Sequence, residues 1–349
     1  MYPFSEDSFA PKNGWYVAAF CEEIGDELLS RWILNQPIVL YRTSAGRAVA
    51  VQGRCPHRHY PLGESKRVGD AIQCGYHGIT FDAGGKCTFV PSQANVPGVY
   101  AIKSYPLVER GLWAWIWPGD PELADESLIP DMEDVGFGLE GYQSAPCYSL
   151  HVDGRYQLLN DNLLDLTHLG YLHRTSIGTD DDAATPEQRE VTDRKISSRR
   201  YMNRTEQPPF LAAMNRYDGK VNRVSGMDFH LPGFHAGIGD FFIPDEDPER
   251  AGEAIMLSRV WHAVTPATKY TTNYFFAMSA LQGEDLDAAR DFLKPVIDED
   301  VFATAEIEKI IRTVDELPPE LMLKSDATAV VGRRAMQAMM DAERKQTSA

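Results

Sequence analysis

The chain has 349 residues, 43% of them hydrophobic, and a formal net charge of −17 from 51 acidic and 34 basic residues. That length accommodates two domains with sizeable cores, and the acidic balance argues against nucleic acid or an anionic membrane as a partner. No apolar run reaches membrane-spanning length and the first residues, Met1-Tyr2-Pro3-Phe4-Ser5-Glu6-Asp7, lack a basic, apolar leader, so the expectation is a soluble, cytoplasmic protein.

Residues 14–51 are rich in strand formers: Trp15–Phe20, Trp32–Leu34, Pro37–Arg42 and Ala48–Val51, broken by Gly25-Asp26 and Ser44-Ala45-Gly46. They lead into Cys55-Pro56-His57-Arg58, and sixteen residues separate His57 from Cys74-Gly75-Tyr76-His77. Each loop offers one thiolate and one imidazole. A single zinc ion would take all four in a tetrahedron; a Rieske [2Fe–2S] centre would put both cysteines on one iron and both histidines on the other. The glycines, prolines and aromatic residues of these loops suit backbone N–H groups that approach bridging sulfides closely. The five cysteines, an odd number, do not form a disulfide framework, and Cys21, Cys87 and Cys147 are expected as reduced core thiols. Ile79–Asp82 and Cys87–Val90 flank a hairpin turn at Ala83–Lys86. Leu107–Arg110 and Leu112–Trp117 close an all-β domain over residues 1–118, with the Trp113–Trp117 stripe as core.

Residues 121–149 show no period and read as a connector. A helix is expected from Tyr156 and strands over Tyr201–Phe276. Two runs, Ala254–Val264 and Tyr270–Ser279, form a hairpin about a loop at Thr265-Pro266-Ala267-Thr268. Two helices end the chain, Leu286–Glu316 and Asp326–Arg344. Strands followed by helices give an α+β domain over 119–349, an antiparallel sheet covered by helices.

The first helix carries Asp165-Leu166-Thr167-His168-Leu169-Gly170-Tyr171-Leu172-His173. Asp165 and His168 share a helix face, close enough for Asp165 to hydrogen-bond the distal nitrogen of His168. His168 and His173 lie about 140° apart round an ideal helix. Both reach one metal only if the helix ends, kinks or bulges there, as Gly170 permits. Two histidines and a carboxylate from elsewhere make the facial triad of non-haem Fe(II) oxygenases. An electron-transfer centre and a substrate-oxidising centre in one chain account for each other. A pure electron carrier would leave most of the chain without a role; a zinc-stabilised binding protein is the remaining alternative.

Cys-Pro-His-Arg followed by Cys-x-Tyr-His-Gly, together with Asn-x-x-Asp-x-x-His-x4-His at 162–173, resembles the Rieske non-haem iron aromatic ring-hydroxylating oxygenases. The similarity is to the group of vanillate O-demethylase, dicamba monooxygenase and toluenesulfonate methyl-monooxygenase. It extends to Trp15–Ala18, Asn35–Arg42, Ile102–Pro106, Arg200–Met202 and Pro208–Phe210. The resemblance implies one [2Fe–2S] cluster, with Cys55 and Cys74 on one iron and His57 and His77 on the more exposed one. It implies one mononuclear Fe(II) on His168, His173 and Asp300 (or Asp298), from an acidic run at the start of a C-terminal helix, with Asn162 in support. Asp165 would bridge to His77 of a neighbouring copy in a head-to-tail homotrimer, and the second domain would be helix-grip-like. No dinucleotide-binding Gly-x-Gly-x-x-Gly is visible, so electrons would come from a separate ferredoxin and/or flavin-dependent reductase, with Arg54, Arg58, Lys66 and Arg67 as its basic docking patch. The implied activity is that of an oxygenase component. With O2 it hydroxylates a methyl or methoxy carbon of an aromatic acid, a methoxy product then losing formaldehyde. A ring dihydroxylase or N-demethylase of the same architecture is the alternative. An aromatic acid needs an apolar slot with a few polar groups: His262 first, then His230, with Asn215, Arg216, Arg223, Arg259 and Trp261 as further candidates. His59-Tyr60 departs from the small residues usual after the first cluster histidine.

Overall fold

The computed structural model describes residues 4, 9–246 and 248–347. It separates into two compact units, residues 10–129 with the short segment 265–269, and residues 130–264 with 270 onward.

The first unit is built from β1 (Tyr16–Phe20), β2 (Leu29–Ile33), β3 (Gln36–Arg42), β4 (Ala48–Gln52), β5 (Lys66–Val68), β6 (Ala71–Gln73), β7 (Thr80–Phe81), β8 (Cys87–Phe89), β9 (Ser104–Tyr105), β10 (Leu107–Arg110) and β11 (Trp113–Ile116). They form three antiparallel sheets in the orders β1-β11-β10, β2-β3-β4-β9 and β5-β6-β7-β8. Alternating apolar residues of β3, β4 and β7 bury Val39, Tyr41, Val49, Val51 and Phe81 around Cys55 and Cys74. Trp113, Trp115 and Trp117 are buried. Residues 119–129, expected beyond the boundary at 118, cluster with this unit. Asp120 and Asp125 cap two short 3-10 turns, Trp15 Nε1 donates to the Asp125 carbonyl at 2.8 Å and Arg110 to the Glu126 carbonyl at 3.0 Å.

The second unit holds β12 (Tyr142–Val152), α1 (Tyr156–Leu164), α2 (Asp180–Ala184), β13 (Gln188–Val191), β14 (Lys195–Thr205), α3 (Pro209–Met214), β15 (Val221–His230), β16 (Phe234–Phe242), β17 (Ala254–Thr268), β18 (Thr271–Leu281), α4 (Leu286–Thr313) and α5 (Ala327–Thr347). The α+β expectation holds: the seven strands form one sheet in the order β12-β18-β17-β16-β15-β14-β13. Two expectations need correction. The supposed connector contains β12, an edge strand whose alternation is blurred by half-burial and by Pro146 at a bulge, a position an edge tolerates. The supposed loop at 265–268 is strand, and its carbonyls at Pro266 and Ala267 accept from the amides of Leu34 and Asn35.

Three contacts fix α1. Arg155, at its start, pairs with Glu308 of α4 through two bonds of 2.5 and 2.7 Å. Arg333 of α5 donates to Asp161 at 2.6 Å, and Tyr156 is buried with its hydroxyl on Met336. Helix α4 starts at Asp285, whose carboxylate caps the amides of Asp287 and Ala288. Among the described residues no helix is long and apolar enough to cross a membrane.

Candidate metal centres and substrate pocket

The two Cys/His loops repeat one backbone turn. In the first, between β4 and β5, the Cys55 amide donates to the Tyr60 carbonyl and the His59 amide returns to the Cys55 carbonyl, both at 2.9 Å. In the second, between β6 and β7, the Cys74 amide donates to Ile79 at 2.8 Å and the Gly78 amide returns to Cys74 at 2.9 Å. The closing residue is left-handed in both, His59 at φ 59° and Gly78 at φ 70°. Glycine takes that conformation freely; histidine does so at a cost, and the Arg54 guanidinium lies 2.7 Å from His59 Nδ1. Tyr60 packs over Gly75, where a Cβ would meet the tyrosine ring.

This geometry sorts the four donors by type. Cys55 and Cys74 are buried, and burial beside the second thiol pushes Cys55 up to about 11. His57 and His77 are exposed, their rings 4.6 Å apart and edge to face. Two thiols inside and two imidazoles outside fit a binuclear centre with unlike irons. Among the described residues, the group of donors that converges within 4.8 Å lies elsewhere, at His168, His173 and Asp300. Of the expected docking patch, Arg58 and Lys66 are exposed, while Arg67 pairs with Asp70 and lies over Tyr41.

Helix α1 ends at Leu164, and Asp165, at φ −114° and ψ 86°, turns the chain into a 3-10 segment over Leu166–Gly170. That break brings His168 and His173 together, with ring centroids 5.2 Å apart. His168 Nδ1–H donates to the Asp165 backbone carbonyl at 2.6 Å. The carboxylate expected in that role instead caps Thr167, accepting from its amide and hydroxyl. His173 Nδ1–H donates to Glu299 at 2.6 Å. Both Nε2 atoms then turn to Asp300 Oδ1, at 3.7 Å from His168 and 3.1 Å from His173. Asn162 Nδ2 donates to that same oxygen at 3.1 Å. Burial draws His168 down from the usual histidine range. At His173 burial acts the same way but is outweighed by Asp300 and Glu299, which raise it. Burial would raise Asp300; the two histidines and Asn162 hold it low. Two imidazole nitrogens and one carboxylate oxygen on one side of a point fit a facial triad.

Asp300 lies well inside α4, not at its start, so the helix dipole does not explain it. Asp298 is exposed and pairs with Lys294. Glu299 is the residue that sequence reasoning missed. Its only signal was its place beside Asp300 in an acidic run.

The triad lines an apolar cavity of about 160 Å³, a size that accepts one benzene ring. Leu163, Phe241, Phe276 and Val296 are among its walls, and the central strand β16 lines it with Gly237 and Gly239. A Cβ at Gly239 would meet only Ser258 Cβ, at 3.7 Å. His262 lines the cavity, stacked on Tyr274 with Nδ1 2.6 Å from the hydroxyl. Burial takes it down to about 4, so it is neutral at pH 7.

Of the other expected substrate contacts, only Arg223 lines this cavity, and Arg216 lines a neighbouring one. His230 ends β15 and does not line the cavity; Asn215 is the exposed left-handed cap of α3. Arg223 lines the cavity but is matched by buried Asp182 at 3.0 Å. Arg259 pairs with Asp240, Arg216 with Glu284, and Trp261 is core, donating to the Val135 carbonyl. His235 is buried too, stacked on Phe229 and donating to Asn160 at 2.8 Å.

Residues 14–106 match the Rieske [2Fe-2S] domain and residues 152–342 the vanillate O-demethylase oxygenase C-terminal domain. The chain is 32% identical to the toluene-4-sulfonate monooxygenase system iron-sulfur subunit of Comamonas testosteroni, over 95% of this chain and 97% of that one. It is 33% identical to the vanillate O-demethylase oxygenase subunit of Pseudomonas sp. (strain HR199 / DSM 7063), over 97% of each. A crystal structure of dicamba monooxygenase bound to 3,6-dichlorosalicylic acid superposes with a TM-score of 0.85 at 31% identity, covering 97% of this chain and 99% of that one.

Proposed function

The chain belongs to the Rieske oxygenases with a vanillate O-demethylase-type C-terminal domain and is an oxygenase component, and from that premise we propose that it hydroxylates a methyl or methoxy carbon of an aromatic acid. The observation that carries the reading is the convergence of His168, His173 and Asp300 within 4.8 Å in the wall of a ring-sized apolar cavity.

In this reading Cys55, Cys74, His57 and His77 hold the [2Fe–2S] cluster, and His168, His173 and Asp300 hold one Fe(II). When bound, the cluster supplies single electrons and the iron supplies O2 activation beside the substrate. The Asp165 carbonyl and Glu299 keep the protons of both imidazoles on Nδ1, so that Nε2 faces the metal. Asn162 holds Asp300 Oδ1 in place. Leu163, Val296 and Phe276 exclude water from the reacting carbon. With the Tyr274 hydroxyl donating to Nδ1, His262 Nε2–H is free to donate to a polar atom of the substrate. For methoxy substrates the product loses formaldehyde. Electrons come from a ferredoxin and/or flavin-dependent reductase. In a homotrimer Asp165 would link His168 to a neighbour's His77; the half-burial of Asp165 and the exposure of His77 are compatible with that role.

The test is iron and acid-labile sulfide per chain, with formaldehyde release from methoxybenzoates under reductase and O2. Two irons and two sulfides for the cluster, one further iron, and formaldehyde are expected. Zinc without sulfide would end the reading; a cis-diol without formaldehyde would favour ring dihydroxylation.

A further inference from the structure

Two cavities lie along the same face of α4. The inner one, at the triad, is lined by Asp300, Ile297, Val296 and Leu293; the outer one by Leu293, Phe292, Ala289 and Asp285. The helix therefore orders them: at about 1.5 Å per residue, Leu293 lies about 10 Å from Asp300 and Ala289 about 16 Å. The sheet gives the same order, with His262 and Phe276 on the inner cavity and Met256 and Met278 on the outer. Ile177, Phe210, Ser258, Val260 and Leu293 line both.

The outer cavity, about 370 Å³, is the larger. Met214, Met256 and Met278 line it with Tyr142 and Phe292. Thioether side chains adapt their shape and make favourable contacts with aromatic rings. Met214, Ala288 and Phe292 are exposed and mark its open end. The outer lining carries its own charges: Arg216 pairs with Glu284, and Asp285 caps the first amides of α4.

We propose that the substrate spans both cavities, with the ring bearing the methyl or methoxy group against the triad and a second ring among the outer methionines. This rests on the O-demethylase reading for the identity of the reacting group, while the two-cavity length stands on the lining residues alone.

The experiment compares 4-methoxybenzoate with 4′-methoxybiphenyl-4-carboxylate. Affinities are measured by calorimetry on the full chain, and formaldehyde release is followed separately on the iron-loaded enzyme. The two-ring acid is expected to bind about tenfold more tightly or better. Ala289→Trp, which fills the outer cavity, removes that advantage and leaves the one-ring affinity unchanged. Ala288→Trp, at an exposed position, serves if Ala289→Trp fails to fold. Equal affinities in the unaltered protein, two-ring binding that survives a folded tryptophan variant, or one-ring affinity falling in parallel would overturn the proposal. A two-ring preference without formaldehyde keeps the two-cavity substrate and rejects the O-demethylase reading; formaldehyde without the preference does the reverse.

Discussion

Glu299 holds His173 from behind: the imidazole Nδ1–H donates to its carboxylate at 2.6 Å while Nε2 lies 3.1 Å from Asp300. Two consecutive residues of α4 thus grip one ring at both nitrogens. Glu299→Ala frees the ring to rotate and lose its tautomer. Such outer partners carry about 10–100-fold of metal affinity. Chelator competition should show the mononuclear iron weakened by that factor, with cluster absorption unchanged. Iron held as tightly as before would reduce Glu299 to a surface acid.

The two centres should be separable by mutation. His168→Ala is expected to keep the visible absorption of the cluster and lose the additional iron, because the triad lies within the second unit alone. Cys55→Ala should bleach the cluster. Turnover that persists in His168→Ala would remove that residue from the site.

Gly239→Leu should put a side chain into the inner cavity with little disturbance of its neighbours, given the open space beyond a built Cβ. Substrate affinity is expected to fall about tenfold or more, with iron content retained. Unchanged affinity would mean that the substrate lies elsewhere.

Acid should unfold the protein through the buried His235 and His262 and the half-buried His230. Burial takes His230 and His262 from 6.5 down to about 4, and His235 well below 6.5. The unfolded chain therefore binds more protons than the folded one below 6.5. The stability these groups contribute is present above that value and drains away as pH falls towards 4. The thermal midpoint should drop steadily across this window, and less steeply in His230→Gln. A flat profile would contradict the burial of these side chains.

Local pattern carried much of the site. The Cys/His loops were legible because their ligands are close in sequence; the five-residue spacing of His168 and His173 pointed to a departure from helix at Gly170, whereas the helix ends earlier, after Leu164, ahead of both histidines. Roles that depend on which face or atom points inward were not legible. Asp298 and Asp300 are alike in sequence but about 200° apart on a helix, and only Asp300 is buried. Asp165 touches His168 with its carbonyl because its carboxylate is taken up capping Thr167. Gly237 and Gly239 carry no signal of a pocket in the sequence; the sheet register opposite Met227 and Ser225 makes them its wall. The strand β12 was hidden because an edge strand need not alternate.

The pairing of β12 with β18 has a consequence for biosynthesis. The first strand of the second unit finds its neighbour only when the last has been translated, and the histidines wait likewise for Asp300. At roughly 5–20 residues per second, that interval is on the order of ten seconds. A nascent chain holds His168 and His173 without Asp300 until α4 leaves the ribosome, so the three-ligand group is complete only late in synthesis.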